Sequence, residues 1–172
     1  TEDFYWKLTS AHLDPILQTL RYLVHETAVW TEITTLLIPG KNDGDDEITR
    51  LSDWIAKELR VDVPLHFSAF HPDYKMLDVP ATPPETLRRA RRIALAAGLR
   101  HVYVGNVHDR EGDTTYCPGC AAPVIVRDWY EILAYALDAS GRCERCKTQL
   151  PGRFEAFEGA FGARRIRVKI GA

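Results

Sequence analysis

The sequence is short of the features that usually announce a function. It carries no P-loop, no G-x-S-x-G and no H-E-x-x-H, so the commonest phosphate, hydrolase and zinc-protease signatures are excluded. No apolar run approaches the ~20 residues a helix needs to span a bilayer, which argues against a membrane partner. The opening residues, Thr1 to Lys7, are polar and aromatic and do not read as a signal peptide. The formal net charge is only −2, so no global field draws in nucleic acid or a membrane surface. There is no internal repeat and no low-complexity stretch. The chain starts at Thr1 without a methionine, which fits a piece of something longer. Cysteine is scarce, with four in 172 residues, and those four are the most informative residues in the chain.

They fall into two pairs, Cys117-Pro118-Gly119-Cys120 and Cys143-Glu144-Arg145-Cys146. A C-x-x-C turn places two thiolates on one side of a tight knuckle. Two such knuckles facing each other supply a tetrahedral sulfur set. Pro118 and Gly119 suit the turn, because proline presets φ and glycine tolerates positive φ. The competing readings are two disulfides or four buried thiols. Nothing else suggests secretion, and reduced paired cysteines fit the cytoplasm. Closed four-cysteine sites in small ribbons are mostly structural zinc sites, with iron of the rubredoxin kind as the alternative.

Apolar residues make up 45% of the chain, enough for a sizeable core in one ordinary domain with a small appendage. Residues 11–27 read as a helix, with Asp14 as its cap and Pro15 at its first position. Residues 29–38 are β-branched and apolar and end at Pro39-Gly40, which predicts a buried strand. A second helix follows, with Asp43, Asp45, Asp46 and Glu47 at its positive end and Ile48, Leu51, Ile55 and Leu59 on its buried face. Residues 65–70 predict a second strand. Thr82-Pro83-Pro84-Glu85 predicts a third helix, with a threonine cap and a capping-box glutamate, stopped at Gly98. Residues 101–104 predict a third strand. Alternation at this spacing implies parallel strands joined by crossover helices, with ligands at the carboxyl ends of the strands.

Three segments are expected: an α/β part over residues 1–107, a four-cysteine ribbon over 108–152 and a tail over 153–172. Residues 108–115 read as a linker, and 122–130 and 131–137 as short ribbon strands. Asp138-Ala139-Ser140-Gly141 reads as the turn into the second knuckle. A ribbon this small needs its metal for stability. The tail ends in Arg165-Ile166-Arg167-Val168-Lys169-Ile170, which alternates like a basic edge strand and is compatible with a disordered arm.

His71, just past a strand end, is the one histidine whose position suggests a role; His66 and His101 read as structural. Arg88, Arg89, Arg91 and Arg92 read as a solvated helix face rather than a phosphate site. The low net charge, and the lack of basic residues interleaved with aromatics on the ribbon, argue against nucleic acid.

Several runs together carry a family resemblance. Glu32-Ile33-Thr34-Thr35-Leu36-Leu37-Ile38-Pro39-Gly40-Lys41-Asn42-Asp43 resembles the fifth strand and following loop of radical S-adenosylmethionine enzymes of the pyruvate formate-lyase activating type. Phe67-Ser68-Ala69-Phe70-His71-Pro72-Asp73-Tyr74-Lys75-Met76 resembles their sixth strand. More narrowly, residues 1–152 are similar to the radical SAM enzyme of the AmmeMemoRadiSam system, through Thr1-Glu2-Asp3-Phe4-Tyr5, Pro83-Pro84-Glu85-Thr86-Leu87, Tyr103-Val104-Gly105-Asn106-Val107 and Thr115-Tyr116-Cys117-Pro118.

The resemblance implies an α/β fold, the carboxyl-terminal half of a (βα)6 partial barrel followed by a small zinc ribbon. In the family, a 4Fe-4S cluster held by C-x-x-x-C-x-x-C cleaves S-adenosylmethionine to a 5′-deoxyadenosyl radical, which abstracts hydrogen from a substrate. That motif is absent here, so the chain alone is expected to be inactive. By the same resemblance, His71 matches a histidine that touches the adenosyl group. Thr34 and Leu36 lie on the strand beside the adenine edge, with Thr34 replacing an arginine of the activating enzymes. The partners implied are the missing amino-terminal half of the barrel and a protein substrate such as a Memo-type protein. A non-catalytic zinc-ribbon module that binds protein or nucleic acid is the alternative. Three parallel strands with helices on one side are further expected to leave the other face bare and the edge of the first strand unpaired.

Overall fold

A computed structural model describes residues 1–154; the tail segment expected to alternate, residues 165–170, lies outside the described residues. The chain divides into two compact units, one ending at Gly112 and one beginning at Asp113. The element order of the first unit is α1 (Glu2–Phe4), a π-helical turn (Tyr5–Thr9), α2 (Leu13–Glu26), β1 (Ile33–Leu37), α3 (Asp45–Glu58), β2 (Leu65–Ala69), α4 (Pro84–Ala96) and β3 (Val102–Gly105), and α5 (Arg110–Asp113) spans the boundary. The second contains β4 (Thr115–Tyr116), β5 (Pro123–Asp128) and β6 (Glu131–Tyr135).

β1, β2 and β3 form a parallel three-stranded sheet in sequence order, with Leu37 beside Ala69 and Phe67 beside Val104. Alternation along the strands sends Leu37, Leu65, Phe67, Ala69, Val102 and Val104 to one face. There they pack with Val24 of α2, Ile48 and Ile55 of α3, and Leu87, Ala90 and Ala94 of α4. The two alanines let α4 approach the sheet closely. The opposite face carries Thr34, Leu36, His66, Ser68, Tyr103 and Gly105, none of them buried. All three long helices contribute to a core on one side, and among the described residues of this unit no helix packs on the other.

Element boundaries differ from expectation where tertiary partners decide them. β1 begins at Ile33 rather than at residue 29, because β2, its neighbour, begins only at Leu65. α2 begins at Leu13, and the Glu2 carboxylate takes the Leu13 amide at 2.8 Å; Asp14 lies inside the first turn and pairs with Gln18. α3 begins at Asp45, since Asp43 is occupied in the preceding loop, accepting from Gly40 N at 2.8 Å.

Thr82 does not cap α4. Pro83 holds the cap position, and the Thr82 hydroxyl donates to Leu37 O at 2.6 Å and accepts from Phe70 N at 2.9 Å. Glu85 makes no capping box and pairs with Arg92 instead. The four arginines of α4 are not a free solvated face. Arg88 pairs with Asp109 at 2.7 Å, Arg89 with Asp45 at 2.9 Å, Arg91 with Glu111 at 2.8 Å and Arg92 with Glu85 at 3.0 Å. Arg88, Arg89 and Arg91 tie α4 to the segments that follow β1 and β3, while the Arg92 pair lies within the helix. The expected linker after residue 107 therefore contains the short helix α5, with Gly112 buried against Val104.

In the second unit, β4, β5 and β6 make an antiparallel sheet in which β6 is an edge among the described residues. β5 and β6 turn through Trp129, at φ +53°, and Tyr130. The core here is small: Cys117, Val124, Leu137, Cys143 and Leu150, with Phe154 packed on it. Gly141, at φ +79°, leaves the space that the Phe154 ring fills. No helix among the described residues is long and apolar enough to cross a membrane.

Candidate functional site

The four cysteines converge. Their sulfurs all lie within 4.8 Å of one another, with Cys117 and Cys146 at 3.4 Å and Cys120 and Cys143 at 3.8 Å. Zinc–sulfur bonds of about 2.3 Å in a tetrahedron put the sulfurs about 3.8 Å apart. Disulfide sulfurs sit at about 2.05 Å, so the thiols are free and the donor set fits one metal ion, zinc or iron.

The two knuckles are built alike. Cys117 N donates to Ala122 O at 2.8 Å and Ala121 N to Cys117 O at 2.9 Å. In the second knuckle Cys143 N donates to Thr148 O at 2.9 Å and Lys147 N to Cys143 O at 2.8 Å. Left-handed backbone falls at Ala121 (φ +55°) and Lys147 (φ +62°), each four residues after the first cysteine. Gly119 is not the left-handed residue of its turn. A Cβ there would collide with the Thr148 side chain, so glycine is required by the close approach of the two knuckles. Asp138 sets the turn into the second knuckle: its carboxylate accepts from the N–H groups of Ser140 and Arg142, both at 3.0 Å, and from the Ser140 hydroxyl at 2.7 Å. The Arg142 N–H above all, then the Ser140 hydroxyl, hold Asp138 below the usual carboxylate range.

The thiols differ in their readiness to ionise. The Thr148 hydroxyl, 3.2 Å from Cys146 Sγ, and then the Thr148 N–H pull Cys146 down to about 6. Cys120 is raised to about 11: the Ala122 N–H works against the rise, and burial and the neighbouring sulfurs outweigh it. A thiolate beside three close sulfurs is an arrangement that a bound cation relieves.

The second candidate region is the carboxyl edge of the parallel sheet. Thr34 lies beside His66 and Leu36 beside Ser68, both on the uncovered face, with Leu36 43% exposed. His71 is exposed, two residues past the end of β2 and next to the Phe70–Thr82 clamp that closes the loop over residues 71–81. Leu36 and His71 therefore sit at the carboxyl ends of adjacent strands, and Thr34 sits one row lower. Three further residues shape these ends. Asn42 is buried, accepts from Ile38 N at 2.8 Å and donates to Leu36 O at 2.9 Å. Thr82, read from the sequence as a helix cap, links β1 to β2. Asn106, at φ +61°, donates to Ala69 O at 3.2 Å. Asn42 and Asn106 announce themselves in the sequence only as polar residues just after a strand.

His101 is structural in position: it is 4% exposed at the foot of β3, its backbone carbonyl accepts from Leu65 N, and its Nε2 has no hydrogen-bond partner. Burial lowers its pKa below the ordinary histidine value. His66 is not simply structural. It faces the open side of the sheet, 2.8 Å from Glu32 and stacked on Tyr103.

No family model matches the chain. It is 44% identical over 145 residues to the uncharacterized protein MJ0808 of Methanocaldococcus jannaschii, an alignment covering 84% of this chain and 43% of that protein. The chain thus spans less than half the length of the relative it matches.

Proposed function

We propose that this chain is the carboxyl-terminal part of a radical S-adenosylmethionine enzyme of the AmmeMemoRadiSam type. It supplies three strands of a (βα)6 partial barrel and a structural zinc ribbon. The observation that carries the reading is the unequal sheet. Parallel sheets are ordinarily covered on both faces, and both faces are then apolar. Here one face is a packed core and the other bears Thr34, His66, Ser68, Tyr103 and Gly105 with a single aliphatic residue, Leu36. A polar bare face suits the wall of a ligand cavity better than a second core. The match to less than half of a longer relative leaves room for the remaining strands.

In this reading Thr34, Leu36 and His71 contribute to the adenosyl site. The exposed imidazole of His71 can stack or hydrogen-bond there. S-adenosylmethionine, with a 4Fe-4S cluster bound elsewhere in the parent protein, supplies the radical hydrogen-abstraction chemistry. Zinc at Cys117, Cys120, Cys143 and Cys146 is structural, because four cysteine ligands leave no open position for substrate.

The test is direct binding of S-adenosylmethionine by calorimetry, with a several-fold loss expected in His71→Ala. It is joined to a reading of the coding sequence upstream of Thr1 for C-x-x-x-C-x-x-C. Absence of that motif from the same and neighbouring frames would sink the catalytic reading.

A second reading, a ribbon that docks a protein, is favoured by one observation. β6 is an edge strand with Ile132, Leu133 and Tyr135 exposed, and Trp129 and Tyr130 exposed at its turn. Such an edge accepts an added strand. The two readings are compatible if the protein docked is the substrate.

A further inference from the structure

The less covered face of the parallel sheet carries a pair of rings that the adenosyl reading does not use. His66 and Tyr103 stand side by side on β2 and β3, in the row that Thr34 begins on β1. The His66 ring stacks on Tyr103 with centroids 4.9 Å apart and planes 28° apart, which fixes the plane of the imidazole. Glu32, just before β1, fixes its rotation: Glu32 Oε2 lies 2.8 Å from His66 Nε2. The other oxygen of the carboxylate accepts from Trp30 Nε1 at 2.8 Å, so Glu32 is itself held.

The chemistry of these partners decides the tautomer. An ionised carboxylate only accepts hydrogen bonds, so Nε2 must carry the proton that it donates. In the neutral ring Nδ1 is then the acceptor. Among the described residues Nδ1 makes no hydrogen bond, and the side chain is 32% exposed toward the uncovered side. The next row of this face carries only the small side chain of Ser68 on β2, beside Gly105 on β3.

We propose that His66 is a proton-accepting binding residue of this face, positioned by Glu32, for a substrate group that donates a hydrogen bond through a hydroxyl or an ammonium. Where the proton is transferred, it passes from the substrate oxygen or nitrogen to Nδ1. The bonding pair stays on that substrate atom, and the imidazolium so formed is balanced by the Glu32 carboxylate. Among the described residues, Glu32 and Tyr103 are the titratable groups placed against the ring. The inference takes from the proposed function only that the bare face lines a cavity.

The test is imidazole nitrogen NMR on the whole chain at pH 8, with ethanolamine as a donor probe and acetate as an acceptor-only probe. The expected result is the proton on Nε2 and a saturable change at Nδ1 on adding ethanolamine, with none on adding acetate. In Glu32→Gln, whose side chain has the same size, the ethanolamine response should weaken several-fold. A ring protonated on Nδ1, no response to ethanolamine, or an undiminished response in Glu32→Gln overturns the proposal. S-adenosylmethionine binding is measured separately. Its absence, with the His66 responses as expected, removes the radical-enzyme reading and leaves this one standing.

Discussion

Among the described residues, fifteen buried apolar residues form the core of the α/β unit, whereas five form that of the ribbon, and two of those five are cysteines. The first set includes Phe67, Leu65, Ile55 and Leu87, all inaccessible to solvent and packed between helices and a sheet. That is enough apolar surface to hold a fold by burial. In the ribbon, every residue of β6 is exposed, and the buried positions cluster around the sulfurs. A metal at the four cysteines would therefore cross-link the ribbon in place of a large core, which the α/β unit does not need. The same difference bears on function. A metal-held ribbon presents an exposed hairpin on a rigid base, and a burial-held sheet can leave one face open for a ligand.

The sharpest way to break this contrast is to remove the metal. Structural zinc in small domains is worth about 10–16 kcal/mol of folding free energy. Chelation, or Cys143→Ser at a fully buried ligand, is expected to unfold the ribbon. Amides of Val124 and Leu137 should then exchange freely, while those of Ile55 and Phe67 stay protected. Loss of protection in both sets together would show that the two units are not independently stabilised. The converse experiment is Phe67→Ala. Removing a buried ring costs about 3–5 kcal/mol. The α/β transition in calorimetry should move down by that amount, with metal content and ribbon protection unchanged.

The contrast also explains what could be read from the residues in advance. The metal site was legible because two equal C-x-x-C spacings are a local signal, and the sulfurs converge as such spacings require. The order of strands and helices was legible from periodicity, and so was the uneven covering of the sheet, since strands laid down in sequence order put their two right-handed crossover helices, α3 and α4, on the same side. What was not legible depends on contacts far apart in sequence. Thr82 looks like a helix cap beside Pro83 and Pro84, yet its hydroxyl is taken by Leu37, 45 residues away. Glu32 and His66 are 34 residues apart, and only the parallel register makes them neighbours. Gly119 was chosen for the right reason, a tight turn, but the wrong physics: space for Thr148 rather than positive φ.

The smallest expected effect concerns the α/β unit alone and is a matter of pH. His101 is buried with an unpartnered Nε2, and burial lowers its pKa below the ordinary histidine value of about 6.5. Burial is the leading cause; the Asp62 carboxylate opposes it and Arg100 reinforces it. Because the folded-state pKa is the lower one, the unfolded chain binds a proton first as the solution is acidified. Stability is then fully present above about pH 6.5 and is lost as pH falls toward the folded value. A histidine that gained a charged partner on folding would do the reverse, losing stability as pH rises. Denaturant melts of the α/β unit between pH 7.5 and 5 are expected to show this slope, and His101→Gln should flatten it, since glutamine does not titrate. A slope that survives His101→Gln would place the titrating group elsewhere.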